Sequence, residues 1–139
     1  MNLIDTLSVT ASGLTAQRVR LQTVASNMAN ARTTRTADGG PYKKRMPVFR
    51  AEADPFGSML DQAISRVEVT EIAESDDPTV RVFDPGHPDA DDNGYVEYPN
   101  VNVLEEMVDM MMTARTYEAN TSVVDVTRTM ASQALDIGR

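Results

Sequence analysis

Leucine or methionine stands at every seventh position through the first stretch of this chain, at Leu7, Leu14, Leu21 and Met28. Ala11 and Ala25 fall between them at four-residue offsets, so one narrow apolar stripe runs down a helix over about residues 3–30. The interior of that helix carries Ser8, Thr10, Ser12, Gly13 and Thr15, which are mediocre or poor helix formers, and Gly13 alone costs about 1 kcal/mol against alanine. Intrinsic propensity therefore does not hold this segment in water, and its stability has to come from what covers the stripe.

A helical period returns over about residues 102–137. Asn102 with Glu105 three residues on has the form of a capping box, and Glu105, Glu106 and Asp109 place negative charge in the early turns, where the helix dipole favours it. Thr116, Ala119, Val123, Val126, Met130, Gln133 and Ile137 are spaced alternately by three and four, the spacing of a coiled-coil seam. A second stripe through Met107, Met111, Ala114, Tyr117, Val124 and Ala131 lies beside it, which makes the apolar face wider than one partner helix needs.

Between the helices lie all seven prolines and most of the glycines, and the period changes to two. Val67–Ile72 and Thr79–Phe83 alternate like half-buried strands, Tyr95–Tyr98 forms a third, and Asp38-Gly39-Gly40-Pro41 is a strong turn. Residues 51–66 are expected to add a helical turn or two. The predicted fold is mainly α with a small β insertion. Residues 1–32 and 102–139 form a helical domain pairing as a coiled-coil-like hairpin, around a loop-rich β region over 33–101.

Such a hairpin is poorly supplied with core. Aromatic residues are 5% of the chain, tryptophan is absent, and nine methionines carry much of the apolar content. Burying one apolar side chain contributes about 1.5–3 kcal/mol, whereas ordering each backbone residue costs about 1–2 kcal/mol before hydrogen bonds offset part of it. Two weak stripes do not clearly win, and neighbouring chains that cover the second stripe add buried area without a matching new cost of order. The ends are therefore expected to be largely disordered in an isolated monomer and helical in an assembly. The expected interface is Leu7, Leu14, Leu21 and Met28 on the first helix, with Met107, Met111, Tyr117, Ala119, Val123, Val126, Met130 and Ile137 on the second.

Composition removes several function classes. A net charge of −8 opposes nucleic-acid binding, and the one basic cluster, Lys43-Lys44-Arg45, reads as a solvated loop. The absence of cysteine excludes disulfides, thiol catalysis and Cys-based zinc sites. Asp89-x-Asp91-x-Asn93-Gly94 opens like a calcium-binding loop, but Asn100 occupies the twelfth position, where a bidentate glutamate is required, and the flanking prolines deny it helices. The single histidine, His87, allows no His-rich metal site; a Ser-His-Asp triad is formally possible, but no Ser sits in a nucleophile-elbow pattern, and the adjacent Asp76 and Asp77 read as a solvated acidic turn rather than an acid–base pair. No enzyme, cofactor, metal site or small-molecule substrate is expected. The amino terminus lacks a signal-like apolar run and no stretch is long enough to span a bilayer, which by composition alone points to the cytoplasm.

Ser26-Asn27-Met28-Ala29-Asn30 at the end of the first helix, preceded by Ser12-Gly13-Leu14-Thr15-Ala16-Gln17, resembles the amino-terminal signature of the flagellar rod and hook axial proteins. Where that family usually carries a second Asn and Thr-x-Gly-Tyr, this chain has Arg32-Thr33-Thr34 and Gly40-Pro41-Tyr42. Asp84-Pro85-Gly86-His87-Pro88, Gly94-Tyr95-Val96, Pro99-Asn100-Val101-Asn102 and Ala114-Arg115-x-Tyr117-x-Ala119-Asn120 resemble, in the same order, the proximal-rod branch of that family. The resemblance implies a structural subunit of the basal-body rod, built with other copies of itself, the sister rod proteins FlgB, FlgF and FlgG and the rod adaptor FliE. It also implies export through the flagellar type III gate without signal cleavage, into a rod that spans the periplasm, transmits torque and encloses the export channel. That location replaces the cytoplasmic one. In the shared signature, Ser26, Asn27, Ala29 and Asn30 are the motif residues, and Asn27 and Asn30 are expected to cap the helix and fix the chain's exit. The rival to a rod subunit is a soluble binding module or adaptor that uses the same helices for one partner.

Overall fold

The computed structural model describes residues 3–52 and 65–137. A helix α1 (Leu3–Ala29) opens the chain, four strands follow as β1 (Arg45–Glu52), β2 (Arg66–Glu74), β3 (Val80–Phe83) and β4 (Tyr95–Tyr98), and a long helix α2 (Val103–Ile137) closes it. At about 1.5 Å per residue α2 is roughly 50 Å long.

The poor helix formers are accommodated by local bonds. In α1 the hydroxyls of Thr10, Thr15 and Thr23 each donate to the carbonyl four residues back, and Ser8 and Ser12 to the carbonyl three back. Thr113, Thr116, Thr121, Ser122 and Thr129 do the same in α2. Such back-bonding satisfies a hydroxyl that would otherwise compete with the helix. At the start of α2, Asn102 Oδ1 accepts the Leu104 N–H at 3.1 Å, so the asparagine caps as its position suggests.

The two helices pair antiparallel: Asn27 meets Glu106, Arg20 meets Asp109, and Gly13 lies against Asn120. The pairing face is not the three-four seam from Thr116 to Ile137; it takes in Tyr117, Val124 and Ala131 of the second stripe, while Met107 and Met111 of that stripe stay exposed. On α2 the covered residues are Glu106, Met110, Thr113, Asn120, Val124, Thr127 and Ala131, spaced by threes and fours with the half-covered Tyr117 completing the series. The stripe from Thr116 to Ile137 stands one residue before Tyr117, Val124 and Ala131, so it lies about 100° around the helix and is exposed along its length. On α1 the same offset recurs. Gly13, Arg20 and Asn27 face α2, and Leu14, Leu21 and Met28, one residue on, sit half-buried on the flank. The expected hairpin thus exists, but its contact face carries small and polar side chains; the predicted seam is the outer stripe.

β1 and β2 form an antiparallel ribbon whose register slips by one residue between Val48 and Phe49, leaving Thr70 as the extra residue of a bulge, its hydroxyl bonded to the Val48 carbonyl. The ribbon lies along α1, tied at one end by Arg45 to Asn27 and at the other by Val67 N–H donating to Ser12 Oγ. β1 went unread in the sequence because Pro47 interrupts it. A two-stranded ribbon has only edges, and there a proline is tolerated. β3 and β4 pair as a hairpin over the loop Asp84–Gly94, and Asp89 anchors it to the segment after α1 through the Thr34 hydroxyl at 2.7 Å. The helical turns expected over 51–66 fall mostly outside the described residues, and Ala51, Glu52 and Arg66 at their margins are in strand.

Gly94 turns the chain into β4 with φ 77°, and a Cβ there would stand 3.0 Å from the Phe83 ring. Gly94→Ala should therefore cost the hairpin about 1–2 kcal/mol. Amide exchange at Val96 is expected to accelerate roughly tenfold, read by hydrogen-exchange mass spectrometry.

Candidate functional site

The end of α1 and the beginnings of β1 and α2 converge on Asn27, which is 1% exposed. Its Nδ2 donates to the Arg45 carbonyl at 2.9 Å and to Glu106 Oε2 at 3.0 Å, while its Oδ1 accepts the Arg45 N–H and the Tyr42 hydroxyl, both at 2.9 Å. Against Arg45 the side chain behaves as a peptide of a neighbouring strand would, closing the free edge of β1 where it begins. Glu106, 3% exposed, bonds Asn27 with one oxygen and the Lys44 ammonium with the other at 2.8 Å. A carboxylate this buried is tolerable only because both oxygens are engaged. The hydrogen bond that Lys44 donates to Glu106 raises the Lys44 pKa; burial opposes this, and the charges of Glu106, Glu105 and Asp109 add to it.

One turn further along, Arg20 donates to both oxygens of Asp109 at 2.9 Å, a bidentate pair that is still about two-fifths exposed. Asn30 ends α1: its backbone N–H and its side-chain Nδ2 both reach the Ser26 carbonyl.

Among the described residues the buried apolar side chains are few: Ala16, Val24, Tyr42 and Val96, together with Pro99. Uncovered ones lie on the strands and at the start of α1, and others form a stripe down the outside of α2. Leu104, Val108, Met112, Val123, Val126, Met130 and Ile137 lie along it at intervals of threes and fours, interrupted by Thr116, Ala119 and Gln133. Met112 is 62% exposed, Val126 59% and Ile137 87%. Met107 and Met111 flank this stripe, also exposed. A row of this length exceeds the scattered apolar residues normal on a monomer. No described helix is long and apolar enough to cross a membrane.

Relatives match along the whole chain. Residues 7–35 match the model of the flagella basal body rod protein family, and residues 92–137 that of the flagellar basal body rod FlgEFG protein C-terminal family. The flagellar basal-body rod protein FlgC of Borreliella burgdorferi is 41% identical over 99% of this chain and 98% of its own length. The FlgC proteins of Bacillus subtilis and Salmonella typhimurium are each 40% identical over the full length of both chains. The chain belongs to the FlgC family of flagellar basal-body rod proteins.

In this FlgC-family chain the residues singled out in the sequence separate into distinct places. Asn30 caps α1 as expected, but Asn27 does not: its amide joins β1 and α2. Ser26 supplies the capping carbonyl and lies 3.3 Å from the Tyr42 hydroxyl, and Ala29 is an exposed last residue of α1. Leu7, Leu14, Leu21 and Met28 are half-buried flank residues; Met107, Met111, Tyr117, Ala119, Val123, Val126, Met130 and Ile137 are exposed. The basic cluster is not a solvated loop. Lys43 is exposed, but Lys44 pairs with Glu106, and Arg45 begins β1 and pairs with Glu74 at 3.3 Å.

Asp89 and Asp91 use their carboxylates locally. Asp91 Oδ1 accepts the Tyr95 and Asn93 N–H groups and Oδ2 faces Arg81, which together hold its pKa low, the Tyr95 bond most. The Asp89 carboxylate takes Thr34 and Arg35. Asp77 is bonded to Ser75, and His87 Nδ1 accepts the Asp89 N–H. Sequence reading missed Tyr42, Lys44 and Glu106 as members of the junction. The available signal was Glu106 itself, a carboxylate on the face of α2 where the seven-residue repeat of covered positions begins.

Removing the Asn27 amide takes a hydrogen bond from a buried carboxylate oxygen of Glu106 and from both the N–H and the carbonyl of Arg45, so Asn27→Ala should destabilise the folded chain by about 2–3 kcal/mol in urea unfolding. For Lys44 the folded pKa lies above the unfolded one, so its contribution is full at neutral pH and is lost as pH rises through the folded value. Thermal melts from pH 10 upward should fall more steeply for the parent than for Lys44→Met, while Lys43→Met follows the parent.

Proposed function

We propose that this chain polymerises through its terminal helices into the proximal rod of the flagellar basal body. Its partners are further copies and the neighbouring rod proteins FlgB, FlgF and FlgG, with the adaptor FliE at the base. It is a mechanical element and not an enzyme: torque passes through its subunit contacts, and the packed helices enclose the export channel. Its place is the rod across the periplasm, reached through the flagellar type III export route without a cleaved signal.

The observation that carries this reading is the outward stripe on α2. The intrachain contact buries mostly small and polar groups, so the larger part of the apolar surface on the long helix is left for other molecules. Contacts between unlike faces of successive copies do not close on themselves and generate helical filaments. Many interdigitated apolar contacts resist sliding in a way that isolated surface ion pairs do not. Passage through a narrow channel requires unfolding, and a hairpin with so few buried apolar side chains gives up little on opening. The assembly proposed here supplies the missing burial, so the ends become fully helical only when stacked. The expected interface is Leu7, Leu14, Leu21 and Met28 on α1 with the exposed row from Met107 to Ile137 on α2.

Val123 and Met130 are 44% and 58% exposed, so aspartate there should change monomer stability by no more than about 0.5 kcal/mol. The double variant Val123→Asp, Met130→Asp is expected to be exported normally yet absent from isolated basal bodies, with motility lost in soft agar. Normal rods built with the variant would remove the stripe as the assembly face. Circular dichroism of dilute monomer should give less helix than the same chain in assembled form; equal, cooperatively melting helix in both would refute the coupling of order to assembly.

A further inference from the structure

The α1–α2 seam carries specific polar contacts, the Asn27–Glu106 one buried and the Arg20–Asp109 one partly exposed, whereas the outer stripe is apolar and generic. Glu106, Thr113, Asn120 and Thr127 recur every seven residues on the covered face of α2, and Gly13, Arg20 and Asn27 recur at the same interval on α1. Two of the contacts between these faces are satisfied in a single register: Asn27 Nδ2 on Glu106 Oε2 at 3.0 Å and Arg20 on both oxygens of Asp109 at 2.9 Å. Gly13 marks a third, since a Cβ there would stand 3.4 Å from Asn120 Nδ2, so the helices approach closely at that level.

We propose that this polar seam is a register selector, which keeps α1 on an α2 in one alignment and bars the apolar stripes of neighbouring copies from the seam. The inference rests on the assembly reading above and adds how mispairing is avoided within it. In a filament every copy brings the same two long helices into contact with several others, and an apolar row pairs with almost any other apolar row at several offsets. A polar group at a covered position removes that freedom, because any other partner or offset leaves it buried without its bond. Sliding α1 by seven residues separates Asn27 from Glu106 and Arg20 from Asp109 together. Replacing α2 by a neighbour's outer stripe presents methionine and valine to the Asn27 amide. The seam contributes less to stability than an apolar one would, and it contributes alignment instead.

The absence of native cysteine makes the register readable by disulfide capture. In full-length chain assembled in vitro, the pair Gly13→Cys, Asn120→Cys reports the native alignment and the pair Gly13→Cys, Thr127→Cys an alignment shifted by seven residues. With the native seam the first pair should oxidise at least about tenfold more than the second. With Asn27→Leu, Glu106→Leu, Arg20→Leu and Asp109→Leu combined, the two yields should come within about twofold of each other. Arg20→Leu with Asp109→Leu alone leaves the β1 junction intact and should narrow the ratio part of the way, which keeps the test decisive where the fourfold variant fails to fold. A ratio unchanged by either set overturns the selector while leaving assembly standing. Failure of the parent chain to sediment as polymer instead counts against the assembly reading.

Discussion

The primary amide of Asn27 makes four hydrogen bonds at once, and they join the end of α1 to the starts of β1 and α2. One side bonds both the N–H and the carbonyl of Arg45, fixing where β1 starts; the other bonds Glu106 in the first turn of α2. Because Glu106 is buried, it needs Lys44, and because Lys44 immediately precedes Arg45, the same short segment that builds the strand also neutralises the helix. A buried carboxylate in the first turn of a helix is favoured by the dipole as well as by its partners. The junction is thus cooperative: each group is tolerable there only while the others are in place.

From that point the helices separate two tasks that most helical hairpins combine. An ordinary hairpin uses its most apolar stripe to hold itself together. Here the leucine stripe of α1 and the three-four seam of α2 are displaced by one residue from the contact face, which carries Gly13, Ala16, Thr23, Thr113 and Thr127 together with Val124 and Ala131 of the second α2 stripe. Small residues permit close approach, and the hydroxyls of Thr23 and Thr113 are satisfied within their own helix, so the seam is tight without being strongly stabilising. The apolar area remains available on the outside.

The extent of both helices, the turn at Gly39 and Gly40, the cap at Asn102 and the strands from Val67 onward were legible because each follows from local pattern. The contact face was not. Periodicity identifies which residues share a side of a helix, but it cannot say whether that side meets the same chain or another one, and Leu14 or Val126 would look the same in either case. The junction was illegible for a different reason. Asn27, Tyr42, Lys44 and Glu106 lie up to 79 residues apart, and nothing in the spacing of Lys43-Lys44-Arg45 distinguishes one lysine that is paired from one that is solvated. β1 was hidden by Pro47, whose effect depends on a strand having a free edge, which is a property of the sheet and not of the segment.

The side chains on the outer stripe fit the work proposed for it. Met107, Met111, Met112 and Met130 are all about half exposed or more, and methionine is unbranched, with three rotatable bonds and a polarisable sulfur that fills irregular gaps. A stripe of isoleucine and leucine would demand one complementary shape. In the assembly proposed, a subunit would meet copies of itself on some sides and different chains on others, so a single rigid shape would satisfy only part of its surroundings. A yielding outer row combined with an unyielding polar seam resolves this: the alignment of the two helices within the subunit stays constant, and the adjustment to unlike neighbours is confined to side chains that can change rotamer at small cost.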